Sequence, residues 1–341
     1  MFPEFTAEHE IFRKSVRSYC EKEIAPHVDE WERERFFPNS VFREMGKLGF
    51  LGVRVDPKYG GSGLDWWYST VLCEELPRMA CSAIPMAIMV QTDMATPIIS
   101  DVGTEEQKER WLPGVCSGEK IWAIGVSEPG AGSDVANIRT TAVRDGDHYV
   151  INGAKTFITN GARADFITLA CKTKPDAGYA GVSMIVVPTD TPGFKVSRKL
   201  EKIGNHASDT AELSFENMRV PVENLLGEEN HGFYYQMQNF QSERLVAGIS
   251  GVAGAQLLLN HTIEYCKTRE AFGRPISKFQ VNRHKIVDMQ TQIEAARALL
   301  YMCVDKVANG VDAVKEISMV KLFIGDMIQK INYECLQLHG G

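Results

Sequence analysis

The sequence predicts an α+β protein with a helical first third, a β-rich middle and long helices at the end. Three observations carry this. Apolar residues recur at helical spacing up to about residue 120. Between residues 121 and 221, short β-rich runs alternate with turn signals. Helical period then returns after Gly232. The expected domains are therefore 1–120, 121–221 and 222–341.

In the first domain Thr6 can cap a helix carrying Phe12, Val16, Tyr19 and Ile24, with Pro26 soon after the stripe. A second helix is expected over 40–49, a loop over 56–63, and helices over 65–80 and 85–102. Thr104-x-x-Gln107 has the spacing of a capping box for a further helix. In the middle domain, Asp145-Gly146 and Asn152-Gly153 read as turns between strands, and the strand spacing suits a small sandwich or barrel. In the last domain one long helix is expected over 233–267. Ser277-x-x-Gln280 reads as a capping box for the next, Asn309-Gly310 as its stop, and Asp312 as the cap of the last helix.

Composition narrows the function. Of the 341 residues, 44% are hydrophobic and 24% charged, with a net charge of -7, so a nucleic-acid partner is not expected, because phosphate binding needs a basic face. The eight cysteines form no Cys-x-x-Cys pair and lie mostly in apolar stretches, which suits reduced, buried thiols. The scattered histidines give a metal site little support. No run is long enough to span a membrane. The first ten residues hold no Lys or Arg, so neither a secretory signal nor a transit peptide is expected.

No dinucleotide fingerprint, Walker loop, Gly-x-Ser-x-Gly elbow or His-Glu-x-x-His is present. Two segments stand out instead. GVSEPGAGSD (Gly125 to Asp134) is a tight loop that lets a ligand approach the backbone and offers hydroxyls. The competing reading is a plain surface turn. FQSERLVAGISGVAGAQ (Phe240 to Gln256) sets Glu243 and Arg244 before an apolar, small-residue run with Gly248, Gly251 and Gly254. A carboxylate there could be desolvated into the range of a general base. The alternative is a structural ion pair.

Together, and in this order, these segments resemble the acyl-CoA dehydrogenase family over nearly the whole chain. GVSEPGAGSD resembles its flavin and substrate loop, GAKTFITNG (Gly153 to Gly161) its second flavin segment, and KTREAFGRPISKFQ (Lys267 to Gln280) its dimer-crossing flavin segment. LQLHGG resembles the start of its last one. DTAEL, LLGEE, GFYY and SERL are similar to the long-chain type.

The resemblance implies an N-terminal helical domain, a central β domain and a C-terminal four-helix bundle. It implies FAD held by Ile124, Gly125, Val126, Ser127, Glu128, Pro129, Gly130, Ala131, Gly132 and Ser133, with Phe157, Ile158 and Thr159 packed on the flavin. Arg269, Gln280 and the segment Gln337, Leu338, His339, Gly340, Gly341 would reach the FAD of a neighbouring subunit, hence a homodimer or homotetramer. For Arg269 the plainer reading is a cation satisfying helix-end carbonyls. Acyl-CoA would lie along Ser133, Tyr179, Ala180, Tyr234, Gln241, Ser242 and Arg244. Glu243 would be the catalytic base, since the long-chain and isovaleryl types carry theirs on a helix immediately before an Arg.

The implied reaction is α,β-dehydrogenation of an acyl-CoA thioester in fatty-acid or branched-acyl catabolism, with electron-transferring flavoprotein as acceptor. The implied compartment is the cytoplasm, or the mitochondrial matrix for a processed eukaryotic chain. The family pattern continues beyond Gly341 with a closing segment that contacts FAD and the thioester oxygen. A shortened end raises the alternative of an impaired FAD- and acyl-CoA-binding protein. An acyl-CoA oxidase is a further alternative.

Overall fold

A computed structural model describes residues 5–340. In chain order the helices are α1 (Ala7–Tyr19), α2 (Val28–Glu34), α3 (Ser40–Lys47), α4 (Trp66–Glu75), α5 (Ala83–Met89), α6 (Pro97–Val102), α7 (Glu105–Cys116), α8 (Gly232–Thr268), α9 (Gln280–Ala308) and α10 (Val314–His339). The strands are β1 (Trp122–Gly125), β2 (Thr141–Asp145), β3 (His148–Thr159), β4 (Phe166–Lys172), β5 (Val182–Pro188), β6 (Phe194–Lys199), β7 (Thr210–Pro221), β8 (Leu225–Leu226), β9 (Glu270–Ala271) and β10 (Arg274–Pro275). They sort into two compact units. One gathers the chain up to Ala25, Asp65–Ala80 and the chain from Glu243 on; the other holds Pro26–Leu64 and Cys81–Ser242.

The larger unit is built on an eight-stranded sheet in the order β6-β7-β3-β2-β4-β5-β8, with β1 parallel to β4. Alternate residues of each strand feed two cores, as the two-residue period requires. Trp122, Met184 and Val186 join a cluster with Trp111, Leu112 and Ile98 from the helices; Ala123, Ile185 and Val187 join one with Tyr149, Ile151 and Phe215. The β2–β3 hairpin turns at Gly146, φ 63°, as the Asp-Gly pair predicts.

Asn152-Gly153 is not a turn. β3 runs through it with a shift of register between Ile151 and Gly153. A Cβ on Gly153 would stand 2.5 Å from Thr140 Oγ1, so the glycine serves a close crossing inside the sheet. The helix expected over 85–102 is also divided: a wide turn at Val90–Ala95 separates α5 from α6, and Pro97 opens the latter. Helix α2 was not anticipated from the sequence.

One glycine here is indispensable. Gly118 has φ +71°, and a Cβ on it would lie 2.1 Å from Phe42 O. Gly118→Ala should cost about 3 kcal/mol or more, from left-handed backbone strain and the clash together. Denaturant unfolding checks this; an unchanged midpoint would refute it.

In the other unit α1 packs on α4, α4 on α9, and α9 on α10. Thr6 accepts from the His9 amide in a reciprocal capping arrangement, and Asp65 caps α4 by accepting from the amides of Trp67 and Tyr68. Ile317, Val320, Ile324, Met327 and Ile331 form the buried stripe of α10. Gly248 and Gly251 of α8 admit that helix closely: a Cβ would meet Val320 Cγ1 at 3.0 Å and Ile328 Cδ1 at 2.5 Å, respectively. Gly254 faces open space.

Asn309 and Gly310, φ 69°, end α9, and Asp312 accepts from the Val314 amide 3.1 Å away. The expected capping box at Ser277 does not form. Ser277 sits in a separate short turn (Ile276–Lys278), and extended Phe279 precedes α9 without a side-chain cap. The turn is closed instead by Asn282 Nδ2, donating to Ile276 O at 2.9 Å.

Candidate active site

The Gly-rich loop after β1 is shaped by its own backbone. Glu128 N donates to Ala131 O (2.8 Å) and Ala131 N to Glu128 O (3.1 Å), leaving Pro129 and Gly130 at the exposed tip. Thr156 N donates to Ser127 O at 2.9 Å and ties the loop to β3. Half-buried Ile124 and buried Gly125 and Val126 belong to the base of the loop. Gly130, Gly132 and Ser133 are exposed, and their amides bond to no described residue. Nothing lies within 4 Å of where a Cβ on Gly130 or Gly132 would be.

Glu128 has a different task from the one expected. Its carboxylate is buried, accepting from Lys155 Nζ (2.8 Å), Arg139 N (2.6 Å) and Thr140 N (3.0 Å). Lys155 Nζ also donates to Val126 O at 2.9 Å. The side chain of Glu128 is thus an internal brace, and only its backbone remains for a ligand. Burial alone would raise this carboxyl. Lys155 and the two amides outweigh burial and hold it below the usual carboxylate range. Lys155 escaped the sequence reading; its signal was a lone lysine inside an otherwise uncharged strand.

Beyond Lys155 the register of β3 shifts again, between Lys155 and Ile158. Phe157 stands in that irregularity with φ 60°, its side chain 69% exposed. Bulky residues adopt positive φ only where the surroundings force it. Ile158 is 3% exposed and lies in a sheet core, so its side chain cannot pack on a flavin; Thr159 is half-buried. The same correction applies to the buried side chains of Val126 and Ala131.

The substrate candidates of this unit partly converge. Tyr179 is half exposed, with ring centroids 5.4 Å from Phe233 and 6.2 Å from Tyr234. The turn Pro175–Gly181, which also carries exposed Ala180, packs on the turn Val135–Asn137 just after Ser133. Gln241 is half-buried; its Nε2 donates to Met237 O (3.3 Å), while its buried Oε1 has no partner. Ser242 Oγ donates to Asn239 O at 2.8 Å.

From Glu243 on, the chain belongs to the other unit. Glu243 and Arg244 are both half-buried and engaged on α8. At the far end of α8, Arg269 is exposed; its amide donates to Tyr265 O (2.8 Å) and its carbonyl accepts from Ile276 N (2.8 Å). Its backbone, not its guanidinium, ends the helix. The His339 ring stacks on Tyr265 at 4.2 Å, and Thr262 Oγ1 lies 3.3 Å from His339 Nε2. The Arg269 backbone and His339 therefore both contact Tyr265, a residue the sequence reading missed. Leu338 is buried; Gln337, Gly340 and Gln280 are exposed. Gly341 lies outside the described residues.

Three family models match in sequence: acyl-CoA dehydrogenase N-terminal domain over residues 6–119, middle domain over 123–218 and C-terminal domain over 230–341. The chain is 38% identical to the mouse mitochondrial long-chain specific acyl-CoA dehydrogenase over 339 residues, 99% of this chain and 78% of that protein.

The chain belongs to the acyl-CoA dehydrogenase family.

Solved structures agree. An acyl-CoA dehydrogenase from Geobacillus kaustophilus superposes with a TM-score of 0.97 at 46% identity, over 100% of this chain and 90% of that one. A chain in a structure described as an electron transferring flavoprotein of Acidaminococcus fermentans has a TM-score of 0.96 at 34% identity, over 100% and 90%. Acyl-CoA dehydrogenases are flavin-dependent oxidoreductases, and that is the class of this chain. Among the described residues no helix is long and apolar enough to cross a membrane, and no cluster of His, Cys, Asp or Glu could hold a metal ion.

The residues present suit a flavin. A dinucleotide needs backbone donors for its phosphates and an apolar plane for its ring. The unbonded amides of Gly130, Gly132 and Ser133, open space above the glycines, and the outward ring of Phe157 supply these.

Proposed function

We propose that the chain catalyses the α,β-dehydrogenation of an acyl-CoA thioester with bound FAD. The observation that carries this is Phe157: an exposed aromatic held at positive φ beside a glycine loop with unbonded amides. Strain at an exposed bulky side chain has no folding benefit, and a ligand surface explains it.

FAD, when bound, supplies the hydride acceptor for the β carbon. Gly130, Gly132 and Ser133 would offer their free backbone amides to its phosphates, and Phe157 an apolar surface to its ring. Glu243 removes the proton from the α carbon; the adjacent thioester carbonyl makes that proton acidic enough for a carboxylate. Arg244, Ser242 and Gln241, with Ser133, Tyr234 and the Tyr179-Ala180 turn, line the acyl-CoA path. The buried, partnerless Oε1 of Gln241 suits a donor on the ligand.

Arg269, Gln280 and the 337–341 segment would help hold the FAD of a second copy, which would make the active form a homodimer or homotetramer. Exposed apolar side chains on α10 (Leu322, Tyr333 and Leu336) and Phe272 at the β9–β10 tip support such assembly. The acceptor is an electron-transferring flavoprotein, supported by the Acidaminococcus neighbour.

Anaerobic addition of acyl-CoAs of graded chain length to the flavin-loaded protein tests the reaction. At least one should bleach the flavin absorbance; a flavin that stays oxidised with all of them would overturn the proposal. A second test concerns Phe157. Phe157→Gly should relieve backbone strain worth about 1–3 kcal/mol, so the flavin-free protein melts no lower than wild type. The variant should nonetheless release flavin more readily on dilution. Unchanged flavin retention would remove Phe157 from the site.

A further inference from the structure

The strand that carries Phe157 ends at a second left-handed residue. Phe157 has φ 60° and Asn160 φ 64°, and they bracket Ile158 and Thr159. Ile158 is anchored in a sheet core, and Thr159 pairs with Thr210 of β7. The backbone at the two bracketing residues therefore sets how 157–159 faces outward.

Asn160 is fully buried and tied on every side. Its Nδ2 donates to Ala87 O of α5 (2.9 Å) and to Trp122 O of β1 (3.2 Å). Its backbone N–H donates to Asp209 O, just ahead of β7, at 3.3 Å. Its carbonyl accepts from Arg163 N (3.0 Å) and Ala164 N (2.8 Å). The Asp209 carboxylate accepts in turn from Ala162 N (2.7 Å) and Arg163 Nε (2.6 Å). One residue thus joins a helix and two other strand ends to the end of β3. All of these residues lie in the larger unit.

The side chain carries two costs that a turn alone does not require. Left-handed backbone disfavours every residue with a Cβ. The Asn160 Oδ1 is also buried with no hydrogen-bond partner, and a desolvated acceptor is unfavourable. Glycine would take the same φ with neither cost. What glycine lacks is the pair of N–H donors that reach Ala87 and Trp122.

We propose that Asn160 is a positioning residue for the flavin: by pinning the end of β3 to α5 and β1, it fixes the 157–159 segment as a preformed ring surface. The inference rests on the reading of Phe157 as a flavin surface. Without the pin, the segment must be ordered when the flavin binds, and that ordering is subtracted from affinity.

The test is FAD release from the flavin-loaded protein on dilution, followed by flavin fluorescence, with the flavin absorbance spectrum recorded beforehand. Asn160→Gly keeps the left-handed turn and removes both donors. It should fold, show an altered flavin spectrum and release FAD about tenfold more readily, as the loss of one or two hydrogen bonds implies. Thr104→Ala removes the cap of α7 and none of these bonds, so its FAD release should match wild type. Asn160→Asp gives a second reading. A neutral carboxylic acid can donate to one of the two carbonyls and a carboxylate to neither. Relative to wild type, Asn160→Asp should hold FAD better in mild acid than at neutral pH. Wild-type release and spectrum in Asn160→Gly, equal weakening in Thr104→Ala, or an Asn160→Gly chain that cannot fold would overturn the proposal and leave the dehydrogenation reading standing. A wild-type protein that holds no flavin would overturn both.

Discussion

Glu243→Gln should retain flavin yet lower the rate of flavin bleaching by acyl-CoA by about 10²–10⁴-fold, the usual contribution of a positioned general base. Glutamine keeps the size and hydrogen-bonding reach of glutamate but cannot take a proton at neutral pH. Folding should be little affected, because the position is half-buried on a long helix. The loss should appear in the chemical step, with the binding of unreactive acyl-CoA analogues preserved. If the variant bleaches as fast as wild type, position 243 is not the base. If it loses flavin or unfolds, the residue is structural, as a paired glutamate on a helix would be.

The second large effect is expected at Lys155. Lys155→Met leaves the Glu128 carboxylate buried without its cation, a change that costs about 3–5 kcal/mol in comparable buried pairs. Because Glu128 anchors the glycine loop and Phe157 lies two residues past Lys155, flavin retention should fall as well. The pH dependence follows from the lowered Glu128 carboxyl. Its stabilisation is complete above the ordinary carboxylate value and is lost as pH falls through the lower folded one. The gap in stability between wild type and variant should therefore be widest near neutrality and narrow in acid. The double variant Lys155→Met, Glu128→Gln should recover part of the loss, since no unpaired charge then remains. A gap independent of pH, with no recovery in the double variant, would mean that the lysine acts through packing alone.

Features set by neighbouring residues were legible in the sequence. The boxes at Thr6 and Thr104, the Asp-Gly turn and the long helix after Gly232 all depend on spacing within a few residues. Features that depend on distant partners were not. Asn152-Gly153 has the composition of a turn, yet Thr140 crosses there and the strand continues. Ser277 has the spacing of a cap, yet Pro275 and Asn282 make a separate turn of it. At the candidate site, the segments were recognisable as strings of residues, but not the division of labour within them. Glu128 reads as a ligand contact until Lys155, 27 positions away, is seen to hold it.

The compact unit of α1, α4 and the chain from Glu243 on is discontinuous, and this bears on how the molecule is made. Its helices α1 and α4, which pack on each other, are translated before most of the larger unit, while α9, on which α4 packs, is translated after it. During the interval the face of α4 that meets α9 has no permanent cover. The intervening segments of the larger unit can assemble without waiting. Synthesis thus favours a half-built intermediate with a sticky α4 face, which chaperones would be expected to shield until α9 has been made.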